Sequence, residues 1–308
     1  MNTETEKSAV HYPISTVAEL TGINPITLRA WERRYGLIQP QRTDKGHRLY
    51  SAADIERIRE VLRLVEEGVS IGQVRSALQA GESAPLDTSG DTTWQDYLAR
   101  MIASIEQFDE AGLEEVYNEA LALYPIEIVT RRLLVPLLKE LGLRWETAIG
   151  SVAEEHFFGV YMRNKLGARF HHRQGNPRGP RLVAACLPGE LHEIGLLLFA
   201  LAAHNRGFQI VLLGADMPLQ EIPLVAHRAK CDAVVLTGTI QPSHDLLTNQ
   251  LPGLVAKAMV PVFIGGKTAQ KFADAITAAG AHAVGDDLVL GLRDIEHALQ
   301  DVTPTTRN

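Results

Sequence analysis

"RLVAACLPGELHEIG" (residues 181–195) is a continuous apolar run that breaks at Pro188-Gly189, passes an acid and a histidine, and enters a helical pattern. A strand buried on both faces reads this way, without polar alternation. The rhythm returns in "FQIVLLG" (208–214), "DAVVLTG" (232–238), "VPVFIGG" (260–266) and "AHAVG" (281–285), each followed by a helical segment. Residues 180–304 therefore predict a doubly wound parallel sheet, a Rossmann-like α/β domain. No G-x-G-x-x-G follows the first strand, which disfavours a dinucleotide site. Ligands of such sheets bind beyond the carboxyl ends of the strands, at the switch point. His192 falls there, with no second metal ligand near it in sequence.

Upstream, "RQGNPRGP" (173–180) reads as a linker. In residues 94–172 apolar positions recur at helical spacing in four segments, beginning at "WQDYLARM", "DEAGLEEV", "IEIVTRRL" and "SVAEEHFF". Four helices with short connections predict a bundle. "GESAPLDTSGDTT" (81–93) has the composition of a second linker. In residues 11–80, "ISTVAELTGI" predicts a short helix begun by Ser15 and broken by Gly22. "NPITLRAWERRYG" predicts a second, with Asn24 as N-cap, Pro25 at the first position and Gly36 as stop. Two helices joined by a tight turn make a helix-turn-helix, followed by a hairpin turning at "DKG" (44–46) and a helix from Ser51 to Gly68. A short last helix falls in "SIGQVRSAL" (70–78).

The composition is 45% hydrophobic and 22% charged, that of an ordinary globular chain. No run approaches the roughly 18 apolar residues of a membrane span, and "MNTETEKSAV" lacks the apolar core of a signal peptide. These features predict a cytoplasmic protein with no membrane partner. Two cysteines, Cys186 and Cys231, make no disulfide framework and read as reduced, buried thiols. The net charge of −7 conceals a basic patch at 24–50, where Arg29, Arg33, Arg34, Arg42, Lys45 and Arg48 face only Glu32 and Asp44.

"TLRAWERRYGL" followed by "RTDKGHRLYS" resembles the MerR family of transcription regulators. That resemblance implies a winged helix-turn-helix. Its second helix would enter the major groove of operator DNA with Thr27, Arg29 and Arg33, and its wing would hold phosphates with Arg42, Lys45 and Arg48. Trp31 and Tyr35 would pack the helix. "ELHEIG" resembles the D-x-H-x-x-G loop of cobalamin-binding domains, with Glu190 in the acidic place and Gly195 closing the motif. "LTGT" carries Thr237 and Thr239 where the family commonly has Ser-x-Leu, and "FIGGK" supplies Gly265 and Gly266. The resemblance implies that His192 holds cobalt from below while small residues line a groove for the nucleotide tail. Glu190 would fix the histidine tautomer.

A helical bundle before the sheet resembles the cap of cobalamin sensors. Trp145, followed after nine residues by Glu155-His156, matches the Trp-x9-Glu-His signature of the CarH/LitR light-sensing repressors. By that resemblance Trp145 lies against the upper axial group, most naturally adenosyl, and Glu155 bonds its ribose. His156 takes the upper cobalt position after light. The whole chain is then identified as a cobalamin-dependent MerR-type repressor and not an enzyme. It would bind DNA as a homodimer or homotetramer with adenosylcobalamin in the dark and release it on photolysis. A light-independent regulator sensing cobalamin level keeps the same sites. A corrinoid methyl-transfer module has no use for the N-terminal DNA-binding block.

Overall fold

The computed structural model describes residues 11–80, 89–146, 152–172 and 177–301. The chain divides into two compact units, residues 1–157 and 158–308.

The first unit opens with strand β1 (His11–Pro13) and helix α1 (Ile14–Thr21). The predicted start at Ser15 is corrected, because Pro13 is the N-cap and no side chain caps the helix. Gly22 ends α1 in the left-handed region. Asn24 then caps α2 (Pro25–Ala30) by accepting from the Ile26 amide at 2.8 Å, and Pro25 fills a position whose N–H would have no partner. The helix continues as a π-turn over Trp31–Tyr35 and stops at Gly36, φ 59°. The wing is β2 (Gln41–Arg42) and β3 (Arg48–Ser51), with β1 pairing antiparallel to β3 on its other side. A capping box between Ser51 and Asp54 starts α3 (Ala52–Glu66), and α4 (Val74–Ala80) follows.

Helix α5 (Ser89–Glu106) begins before residue 94, within the stretch whose composition reads as linker. Asp109 caps α6 (Glu110–Leu123) by accepting from the Gly112 amide at 3.0 Å. Then α7 (Ile126–Val129), a π-turn over Thr130–Leu134, and α8 (Val135–Glu146) run on as one helical stretch. Met101, Ile105, Leu113, Val116, Leu133 and Leu137 are buried along these helices. The fourth predicted helix is α9 (Val152–His171), which begins in the first unit and lies mostly in the second.

The second unit holds five parallel strands: β4 (Arg181–Cys186), β5 (Gln209–Gly214), β6 (Ala233–Thr237), β7 (Val262–Gly265) and β8 (His282–Ala283). Their order is β5-β4-β6-β7-β8, so the direction of winding reverses between β4 and β6. Alternate residues of β4 serve opposite faces. Leu182, Ala184 and Cys186 share a core with α10 (Ile194–Asn205) and α15 (Leu288–Asp301). Val183 and Ala185 share the other with α11 (Ile222–Arg228), α12 (Leu251–Ala258), α13 (Lys267–Lys271) and α14 (Ala273–Ala278). Each fully buried Val, Leu or Ile contributes about 1.5–3 kcal/mol, which explains why β4 is apolar at every position after Arg181.

Candidate functional site

The loop that leaves β4 is held from both sides. On the β6 side, the Leu187 amide donates to the Thr237 carbonyl at 2.9 Å. On the β5 side, Asp216 accepts from the Gly189 amide at 2.7 Å, and its own amide donates to the Glu190 carbonyl at 2.9 Å. The Glu190 side chain, 1% exposed, lies between His192 and the end of β6. One carboxylate oxygen accepts from the His192 amide at 2.9 Å and meets ring Nδ1 at 2.6 Å. The other accepts from the Thr239 amide at 2.5 Å, the Thr239 hydroxyl at 2.7 Å and the Ile240 amide at 3.3 Å. Burial pushes the carboxyl up, but the donors from His192 and Thr239 outweigh it and hold the group down at about 2.

An ionised Glu190 fixes the ring with its proton on Nδ1. That tautomer makes Nε2 the ring nitrogen with a lone pair to offer a metal, on a side chain 52% exposed. Among the described residues, no group of three His, Cys, Asp or Glu side chains could hold a metal ion. Cys186 lies under the loop, its Sγ 3.6 Å from the Thr237 hydroxyl. Burial pushes its thiol up to about 11, so it offers no thiolate at neutral pH.

Beside the histidine the strand ends are built without side-chain bulk. A Cβ on Gly238 would come 2.7 Å from Leu187 Cδ1 and 2.8 Å from Thr268 Oγ1. Gly266 has φ 89°, and a Cβ there would sit 2.4 Å from the Gly238 carbonyl oxygen. Gly265 is packed against Val284 and Gly285, while Gly195, in the first turn of α10, has open space around it. Thr237 closes β6, and Thr239 is exposed but bound to Glu190. The histidine fits a group that needs one nitrogen ligand, and Gly238 and Gly266 let the strand ends pack closely beside it. Sequence reasoning missed Gly238, Thr268 and Asp216. Thr268 is buried and donates to the Ile240 carbonyl at 2.7 Å, and its only signal was its place just after the Gly-Gly pair.

In the first unit Arg29, Arg33, Arg42 and Lys45 are exposed. Arg48 is 19% exposed and paired with Glu32, which also holds Arg42 at 2.9 Å and so ties the wing to the second helix. Both arginines outweigh the upward push of burial and lower the Glu32 pKa. Thr27 is corrected as a base-facing residue: it is fully buried, and its hydroxyl donates to the Leu121 carbonyl at 3.2 Å. Trp31 is also fully buried, whereas Tyr35 is half-buried. Trp145 belongs to α8, but its side chain lies outside the described residues, as do residues 147–151 next to it. Glu155 is half-buried in the first turn of α9, and His156, the next residue, is exposed. No described helix is long and apolar enough to cross a membrane.

The family model described as "MerR HTH family regulatory protein" matches residues 12–81, and the one described as "B12 binding domain" matches residues 97–169. The HTH-type transcriptional repressor CarH of Myxococcus xanthus is 32% identical over 275 residues, covering 84% of this chain and 90% of that one. CarA of the same organism, another HTH-type transcriptional repressor, is 31% identical over 87% of this chain and 91% of its own length. The chain belongs to the CarH/CarA family of transcriptional repressors. It is a regulator and not an enzyme, as those relatives are. The Methanosarcina barkeri monomethylamine corrinoid protein has the same fold over 66% of this chain and 99% of its own, with a TM-score of 0.53 and 23% identity.

Proposed function

We propose that this CarH/CarA family member is a cobalamin-dependent, light-responsive transcriptional repressor. It binds operator DNA as a homodimer or homotetramer with adenosylcobalamin in the dark, and releases it in light. The observation that carries the reading is the imidazole of His192, held by Glu190 at the switch point of the sheet. His192 would hold cobalt from below through Nε2. Thr237, Thr239, Gly265 and Gly266 would line the nucleotide tail, and Gly195 leaves the loop open. Trp145, Glu155 and His156 would face the upper side.

When bound, adenosylcobalamin supplies a cobalt–carbon bond that visible light breaks. The chain's own work is orientation and assembly. Glu190 keeps the histidine in the ligating tautomer. The helical segment, which carries Trp145, Glu155 and His156, would respond to whether the upper group is present, and His156 would be the residue to take its place. Arg29 and Arg33 read the major groove, while Arg42, Lys45 and Arg48 hold phosphates from the wing. This is the work of a cytoplasmic regulator.

The test uses the full chain incubated with adenosylcobalamin in the dark, with a duplex enriched by it from random-sequence DNA. The reading expects the corrinoid to co-elute with the protein, and green light to lower both oligomer size and DNA affinity. Affinity that follows added cobalamin but ignores light would favour the level-sensing regulator. Protein that elutes without corrinoid would refute both.

A further inference from the structure

The last four carbonyls of a helix have no partner within it. At the end of α6 the Tyr124 amide takes the Ala120 carbonyl at 2.8 Å. The Leu121 and Leu123 carbonyls are taken by the second helix of the winged motif. Thr27 donates its hydroxyl to Leu121 at 3.2 Å, and the Trp31 indole N–H donates to Leu123 at 2.8 Å. Thr27 and Trp31 are four residues apart, hence on one face of that helix, and both are fully buried. The arrangement is reciprocal. Arg132 donates to the carbonyl of Glu66, the last residue of α3, at 2.9 Å, and the Tyr124 hydroxyl meets the backbone of Ile71.

Trp31 lies in the π-turn 31–35 and Arg132 in the π-turn 130–134, the two π-turns among the described residues of this unit. A π-turn is rare, and here each carries one of the reciprocal capping bonds. On the second helix Arg29 and Arg33, with Ile26, occupy the opposite, exposed face. The seat on α6 therefore leaves the basic face open.

We propose that the DNA-reading body extends through the helical segment to residue 146, past the winged motif. Thr27 and Trp31 are positioning residues that fix the angle at which Arg29 and Arg33 meet DNA. The proposal rests on the reading of that basic face as the DNA face. It gives the helical segment a direct hold on the recognition helix, beside any effect of assembly.

The experiment compares full-chain Trp31→Phe and Tyr124→Phe with wild type. The first keeps an aromatic ring and loses the indole N–H donor; the second keeps its ring, loses the hydroxyl that accepts from the Ile71 backbone, and lies well outside the winged motif. The probes are the enriched duplex and poly(dI-dC), in a salt series. Each variant should lose about fivefold in affinity for the enriched duplex. Affinity for poly(dI-dC) and the salt slope should stay unchanged, because the phosphate contacts remain. A merely structural role would weaken both DNAs together, and that result overturns the proposal. So does an unchanged ratio between the two DNAs in Tyr124→Phe, which decides the matter if Trp31→Phe does not fold. Arg29→Ala separates the two readings. If it binds the enriched duplex as wild type does, the DNA face is misassigned and the proposal falls with it. If it weakens binding while the two Phe variants do not, positioning alone is refuted.

Discussion

Replacing Glu190 by Gln tests the construction of the loop beneath His192. The side chain is 1% exposed, and its two oxygens accept from His192, Thr239 and Ile240. Its carboxyl is held at about 2 against an ordinary 4.5. At about 1.4 kcal/mol per unit, that preference for the ionised form corresponds to about 3 kcal/mol. Gln keeps the volume but turns one acceptor into an NH2 group facing N–H donors. It should therefore cost the second unit about 2–3 kcal/mol at pH 7. The folded-state value lies below the ordinary one. The contribution is thus complete above pH 4.5 and is lost as pH falls from there towards 2. At pH 4 the wild-type advantage should be about 1 kcal/mol smaller than at pH 7. Because Trp31, Trp94 and Trp145 all lie in the first unit, fluorescence reports the wrong transition. Hydrogen exchange of the β4 and β6 amides across a urea series reads the right one. A difference below about 0.5 kcal/mol at pH 7, or one that does not change at pH 4, refutes this account of the loop.

Arg29→Ala should cost about 1–3 kcal/mol of specific DNA binding and relax preference at one base position, checked by competition among variant duplexes. Arg48→Ala should lower the salt slope by about one unit, and it also releases one of the two arginines that hold Glu32. Gly266→Ala places a Cβ against the Gly238 carbonyl in a left-handed backbone and should destabilise the second unit by more than about 1 kcal/mol, read by the same exchange experiment. His156→Ala should bind cofactor and assemble in the dark as wild type does, yet give a different absorbance spectrum after light. Identical photoproduct spectra would remove His156 from the mechanism.

Much of the fold was legible in residues 181–195 and their echoes, because a strand covered on both faces needs uninterrupted apolar residues and a helix after it does not. The helix-turn-helix was legible because Gly22, Asn24, Pro25 and Gly36 act locally, within one turn of their own backbone. Ser15 misled for the complementary reason: a good capping residue has no effect once Pro13 fixes the entry two residues earlier. Periodicity placed Thr27 on a face of its helix but carried no information about what covers that face. The answer, the end of α6, lies 94 residues away. The contact between Glu190 and His192 is the one that the resemblance of "ELHEIG" to the cobalamin-binding loop implied. The share of Glu190 in holding Thr239 and Ile240 was not, since it depends on β6 lying beside β4.

The most direct measurement is the electron paramagnetic resonance spectrum of the Co(II) form of the cobalamin-loaded full chain, wild type against His192→Ala. The account predicts splitting by one protein nitrogen in the wild type and its loss in the variant, which should still hold some corrinoid through the residues proposed to line the nucleotide tail. Splitting that persists in His192→Ala, or that is absent from the wild type, would contradict it.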